Sequence, residues 1–169
     1  MTVETSLLNE KLLLLASEYS KSISACLGDR LVSVVLFGSV ARGEASPNSD
    51  IDLLIVARDL PRGQLSRKRQ LAAADDRIEG HLTALAEEGV NAVFTRILKT
   101  PEEAVRVVPL YLDLVEDAVL LLDRDDFFKT VLSRLETRLR DLGARRLSSG
   151  RIRYWDLKPD LRIFERFTL

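Results

Sequence analysis

The sequence has little of what metal cages, crosslinks and membrane spans are made from. Its 169 residues include one Cys (Cys26) and one His (His81). A single Cys cannot close an internal disulfide, and one Cys with one His cannot build a thiolate–imidazole zinc cage. The longest stretch without a charge, Leu31 to Ala41, is 11 residues, well short of the roughly 20 needed to span a bilayer. The N-terminus carries Glu4 and no basic segment before its apolar stretch, so it does not read as a signal peptide. Charge of one sign is not in excess either: 25 Lys and Arg face 26 Asp and Glu, a net of −1. An unspecific nucleic-acid binder would carry a strong basic surplus. Neither G-x-x-x-x-G-K-[ST] nor G-x-G-x-x-G occurs, which leaves a P-loop and a dinucleotide-binding turn unsupported. The expectation is a soluble, cytoplasmic protein with no membrane association.

What is present is an ordinary globular mixture, 46% hydrophobic and 30% charged, long enough for about one domain. Leu8, Leu12, Leu15, Tyr19, Ile23 and Cys26 recur at spacings of three and four, which predicts a helix over Glu4 to Leu27, stopped by Gly28. Cys26 lies on that stripe and reads as core filler. Leu31 to Phe37 (LVSVVLF) and Ile51 to Val56 (IDLLIV) read as buried strands, joined by a loop with the breakers Gly43, Pro47 and Asn48. A helix is expected over Gln64 to Glu88 with Gly89 at its end, and His81 beside its apolar face reads as a half-buried structural residue. Val90 to Leu98 is a third strand, Pro101 opens a short helix with Glu102 and Glu103 in its first turn, and Ala118 to Leu122 is a fourth strand. Asp125 to Leu142 aligns Phe128, Leu132, Leu135, Leu139 and Leu142 in a last helix, and Arg151 to Trp155 could add a strand. This order lacks strict β-α-β alternation. It predicts an α+β fold: a small mixed β-sheet flanked by helices.

The chemistry concentrates in Leu36 to Val56, LFGSVARGEASPNSDIDLLIV. Asp50 and Asp52, two apart in a strand, send both carboxylates from one face. Alone they would repel and one pKa would rise. Both at the entry of an apolar strand make sense with a divalent cation between them, and hard oxygen ligands favour Mg²⁺ or Mn²⁺ over zinc. Upstream, Gly38 ends a buried strand and lets a phosphate approach the backbone. Ser39 adds a hydroxyl donor. A short helical turn from Ser39 to Arg42 would present N–H groups to an anion, with the Arg42 guanidinium one turn away. A phosphate cradle beside a carboxylate pair points to phosphoryl or nucleotidyl transfer.

An apolar strand, Gly38-Ser39, ten residues, then Asp50-Ile51-Asp52 resembles the signature of the DNA polymerase β nucleotidyltransferase superfamily. The short chain is similar to its minimal nucleotidyltransferase branch, which includes antitoxin partners of HEPN-domain toxins. The resemblance implies that Gly38, Ser39 and Arg42 hold a nucleotide, ATP being the expected donor, and that Asp50 and Asp52 are catalytic and bind Mg²⁺ or Mn²⁺. It implies transfer of a nucleoside monophosphate to a hydroxyl of a protein or RNA, with pyrophosphate released. Active members carry a third carboxylate on a later strand, whereas Val90 to Leu98 has no Asp or Glu. Asn91 and Thr95 share the expected face, and Glu87, Glu88, Asp113, Glu116 and Asp117 have no place assigned by sequence. The departure gives a second expectation: a catalytically impaired protein of this fold acting as the binding partner, or antitoxin, of a HEPN-type toxin.

Residues 1–124 are read as the nucleotidyltransferase core, and 125–169 as a C-terminal helix and basic, aromatic tail packed on the same domain. Between Arg134 and Arg153 stand seven Arg (134, 138, 140, 145, 146, 151, 153) against Glu136 and Asp141, a local net charge near +5. A solvated helix face explains this run, and so would contact with RNA or an acidic partner. Tyr154, Trp155, Phe164 and Phe167 would stack on bases, anchor the tail to the core, or join a second copy in a homo-oligomer.

Overall fold

Leu12, Leu15, Tyr19, Ile23 and Leu27 follow one another at helical spacing and are all buried in α1 (Val3–Leu27). Gly28 ends that helix in the left-handed region at φ +57°, where a residue with a Cβ is strained. The computed structural model describes residues 3–149, 152–161 and 167–168. Among these no helix is long and apolar enough to cross a membrane.

β1 (Leu31–Phe37) and β2 (Ile51–Ala57) are the centre of a four-stranded sheet ordered β3-β2-β1-β4, with β3 at Phe94–Lys99 and β4 at Val119–Asp123. β1 pairs antiparallel with β2 and β4, whereas β2 and β3 run parallel. The expected α+β architecture, a mixed sheet flanked by helices, is what the chain adopts. Both sheet faces are covered, which is why β1 and β2 read as nearly unbroken apolar runs. One face packs Val34, Leu36, Ile51, Leu53 and Ile55 against α1 and α4 (Ala72–Glu87). The other packs Val35, Leu54 and Val56 against Tyr111, Phe128, Leu135 and Leu139. These come from α6 (Leu110–Asp117) and α7 (Phe127–Asp141).

Several boundaries differ from the sequence reading. The single helix expected over Gln64 to Glu88 is two, α3 (Gln64–Arg69) and α4. Gln70 and Leu71 donate to the carbonyls three residues back, each at 3.0 Å, so the ladder tightens and the chain turns. Arg67 fixes α3 on the opposite side, donating to the Pro61 and Leu98 carbonyls and to both oxygens of Glu103. Val90–Val93 precede β3 as an irregular segment. α5 (Pro101–Ala104) begins where expected, closed by a capping box between Thr100 and Glu103. α6 is absent from the sequence reading, because apolar residues crowd Val107 to Val115 without forming one stripe. The last helix starts at Phe127, not Asp125: Asp125 and Asp126 stand at φ +54° and +50°. Its first N–H groups are taken by Asp123 from β4, to Phe128 N at 2.9 Å and Lys129 N at 3.0 Å. After it, β5 (Arg145–Ser149), also absent from the sequence reading, pairs with β6 (Ile152–Asp156) in a separate two-stranded ribbon.

His81 is not half-buried. It is 60% exposed, with Nε2 3.5 Å from Glu18 of α1, because it stands at the rim of the α1–α4 contact, where solvent reaches it. Cys26 is partly buried against the core, as the stripe implied, and its Sγ donates to the Gln70 carbonyl at 3.1 Å.

Candidate active site

The end of β1 and the start of β2 meet here, with Phe37 opposite Asp52. Immediately after Phe37 the backbone swings to φ +78° at Gly38 and enters a single helical turn, α2 (Gly38–Ala41). A Cβ on Gly38 would stand 2.2 Å from Asp52 Oδ2. Glycine is therefore required twice, by the positive φ and by the approach of the carboxylate. The turn is closed by Arg42 N to Gly38 O at 3.3 Å and Glu44 N to Ser39 O at 2.9 Å. Val40 is buried beneath it. Asn9 of α1 braces the turn from below, donating to the Val40 carbonyl at 3.2 Å and accepting from Ala45 N at 3.4 Å.

Asp52 projects from the same side of β2 as Leu54 and Val56, toward the α6–α7 face of the sheet. Its carboxyl is held above the usual range, first because it is partly desolvated and second because Asp50 is close; the Arg42 charge opposes both. Asp50 is exposed at the strand entry. The pair therefore carries a like-charge repulsion, offset only in part by Arg42, that a divalent cation would relieve. All its donors are hard oxygens, and Asp52 Oδ2 has room only because Gly38 has no side chain. These residues fit Mg²⁺ or Mn²⁺.

The fate of the other acidic and polar candidates is specific. Thr95, the register partner of Asp52 on β3, lies in the site, with Oγ1 3.5 Å from Asp50 Oδ2. Asn91 does not: its side chain donates to Asn48 at 3.3 Å and its N–H to the Pro47 carbonyl at 2.7 Å, bracing the loop before Asp50. Glu88 pairs with Lys11 at 2.5 Å, and Glu87 is exposed at the end of α4. Asp113, Glu116 and Asp117 all converge on Arg146, at 3.4, 2.5 and 2.8 Å, and Arg146 holds the Asp117 carboxyl below its ordinary range. Among the described residues no group of three or more His, Cys, Asp or Glu is arranged to hold a metal ion.

Among the described residues, three arginines of the basic C-terminal run meet partners distant in sequence. Arg146 serves α6, Arg153 meets Glu44 at 2.5 Å, and Arg138 donates to the Thr168 carbonyl at 2.9 Å. Sequence reasoning misses this pairing because the acids lie about 30 and 109 residues away. Trp155 packs against the α6–α7 core, whereas Tyr154 is 48% exposed. Arg151 and Phe164 lie outside the described residues.

The chain is similar to several known proteins. A family model described as "Nucleotidyltransferase domain" matches residues 20–139. The putative protein adenylyltransferase MJ1305 of Methanocaldococcus jannaschii is 32% identical over 121 residues, covering 70% of this chain and 77% of that protein. A chain in the crystal structure of a toxin–antitoxin with AMP-PNP is 17% identical with a TM-score of 0.46, over 75% of this chain and 92% of that one. A chain in the complex of a tri-AMPylated Shewanella oneidensis HEPN toxin with an MNT antitoxin is 15% identical, TM-score 0.43, over 78% and 92%.

Proposed function

The chain belongs to the nucleotidyltransferase domain family, and from that premise we propose that it moves AMP from ATP to a hydroxyl of an acceptor, releasing pyrophosphate. The observation that carries this reading is the Asp50–Asp52 pair against a Gly38 with no room for a Cβ. Asp50 and Asp52 hold the cation, Mg²⁺ or Mn²⁺, which when bound supplies positive charge to the phosphates and to the departing pyrophosphate. Gly38 offers its backbone to the polyphosphate at close range. Ser39 donates its hydroxyl, and Arg42 gives a charge-assisted contact. The acceptor oxygen forms its bond to the α-phosphorus as the α–β bridging bond breaks. The hydroxyl proton leaves to water at the exposed mouth beside Asp50. On this reading residues 1–124 are the nucleotidyltransferase core, and the C-terminal helix and tail of 125–169 belong to the same domain.

A protein acceptor is favoured over RNA. The 32% identical relative is described as a putative protein adenylyltransferase, and Arg146 of the basic run is engaged by three carboxylates of α6. The acceptor we propose is a HEPN-type protein partner, the class implied by the sequence resemblance. The second reading, an impaired catalyst that neutralises such a partner by binding it, rests on one observation: Thr95 stands on β3 where a carboxylate would complete the site.

The test is transfer of label from α-labelled ATP to a HEPN-type partner in the presence of Mg²⁺. Label on the partner that Asp50→Asn and Asp52→Asn abolish supports transfer. A stable complex with no label supports the second reading. Neither complex nor label overturns both.

A further inference from the structure

Beside the candidate site lies a cavity of about 320 Å³ lined by Arg42, Glu44, Asp113, Arg146 and Arg153, at the small end of ligand-site volumes; Asp113 is paired with Arg146. Arg42 comes from the turn after β1, and Arg153 from the C-terminal ribbon. The two are joined by one carboxylate: Glu44 accepts from Arg42 Nε at 2.8 Å through one oxygen and from Arg153 Nη2 at 2.5 Å through the other. Arg146 lines the same cavity, but its terminal nitrogens are consumed by the three carboxylates of α6. It anchors the ribbon through both terminal nitrogens, while its Nε is buried without a hydrogen-bond partner among the described residues. Arg42 and Arg153 differ. Among the described residues each uses one nitrogen, on Glu44, and both line the cavity.

We propose that Arg42 and Arg153 form a polyphosphate clamp for the nucleotide, and that Glu44 is a built-in competitor standing where a phosphate oxygen binds. The clamp rests on the reading of the adjacent site as a nucleotide site, and it adds Arg153, a residue of the C-terminal ribbon, to that site. A carboxylate and a phosphate present similar oxygen pairs to a guanidinium fork. A triphosphate offers more oxygens and more charge than one carboxylate, so it displaces Glu44. Glu44 is about half exposed, at 45%, and can turn to solvent. The low carboxyl pKa that both arginines impose on Glu44 keeps it charged, hence competing, throughout the neutral range.

The experiment measures binding of inorganic tripolyphosphate, and separately of ATP with Mg²⁺, to the full chain and to Arg153→Gln, Glu44→Gln and Arg134→Gln. The last removes one positive charge from the surface of α7. Arg153→Gln is expected to weaken both ligands about tenfold, the worth of one charge-assisted hydrogen bond, and Glu44→Gln to tighten both about threefold or more. Arg134→Gln is expected to stay within about twofold. Opposite signs separate a clamp from a bridge that only holds the ribbon, because a loosened ribbon would make Arg153→Gln and Glu44→Gln weaken together. That joint weakening, or no change in either variant while ATP still binds with dependence on Asp52, overturns the clamp and leaves the nucleotide site standing. Failure of the unmodified chain to bind ATP or tripolyphosphate overturns both.

Discussion

Gly38 and Asp52 face each other at the join of β1 and β2 so closely that a Cβ on Gly38 would lie 2.2 Å from Asp52 Oδ2. The backbone turn that would receive phosphates and the carboxylate that would hold the cation are thus one packed unit. Gly38→Ala must both enter the left-handed region and push the carboxylate aside. It is expected to destabilise the fold by about 2 kcal/mol and to remove Mg²⁺-dependent nucleotide binding. Chemical denaturation and a binding titration on the same sample check this.

Asp52 is predicted to trade stability for function. Its folded pKa is raised by desolvation and by Asp50, so the native state holds its proton to higher pH than the unfolded chain. Stability therefore falls as pH rises through that window, and at pH 7 the ionised, metal-free pair is a cost. Asp52→Asn should raise the thermal midpoint at pH 7, by about 0.5–2 kcal/mol of stability, and this gain should vanish under acid. Metal-dependent binding by the unmodified chain should fade on acidification at a higher pH than an ordinary carboxylate would give. A midpoint that drops at pH 7 would contradict this.

Arg67 is the brace that turns α3 away from α4. Replacement by Gln leaves the Leu98 and Pro61 carbonyls and Glu103 without their donor and is expected to cost about 2 kcal/mol. The pairing also has a pH signature. Arg67 holds the Glu103 carboxyl at about 2, against an ordinary 4.5. Its contribution is full above 4.5 and disappears as the pH falls toward 2. Because the Glu103 side chain is 42% exposed, screening limits that contribution to about 1 kcal/mol. Stability profiles of the two proteins should differ most at neutral pH and draw closer in acid, leaving the pH-independent share due to the Pro61 and Leu98 carbonyls.

The C-terminal ribbon is held by Arg146 on three carboxylates of α6. Arg146→Gln is expected to free the ribbon, seen as faster proteolysis within residues 145–156, while the midpoint of the core moves by about 2 kcal/mol or less. Equal proteolysis rates would contradict the anchor.

Much of this arrangement is legible along the chain because its signals are local. The apolar runs of β1 and β2, the stripe of α1 and the breakers between Gly43 and Asn48 each declare themselves within a few residues. So do Gly38 and the Asp50–Asp52 spacing. What stays hidden depends on partners far apart. α6 carries apolar residues on too many sides, since Tyr111 and Leu114 face the core while Leu110 and Leu112 also pack partly against it. The split at Gln70 follows from Arg67 reaching Leu98 and Glu103. Part of the basic excess of the tail is offset only by distant acids, Asp117 meeting Arg146 and Glu44 meeting Arg153. His81 is misread because its position beside an apolar stripe does not say which side of α4 meets α1.

The measurement that tests the central claim most directly is titration calorimetry of the full chain with ATP, with and without Mg²⁺, beside Asp52→Asn. Saturable binding that requires Mg²⁺ and is lost in Asp52→Asn is the predicted result. Binding of equal strength without Mg²⁺, or fully retained by Asp52→Asn, would contradict the assignment of Asp50 and Asp52 as the cation-holding pair of a nucleotide-transfer site.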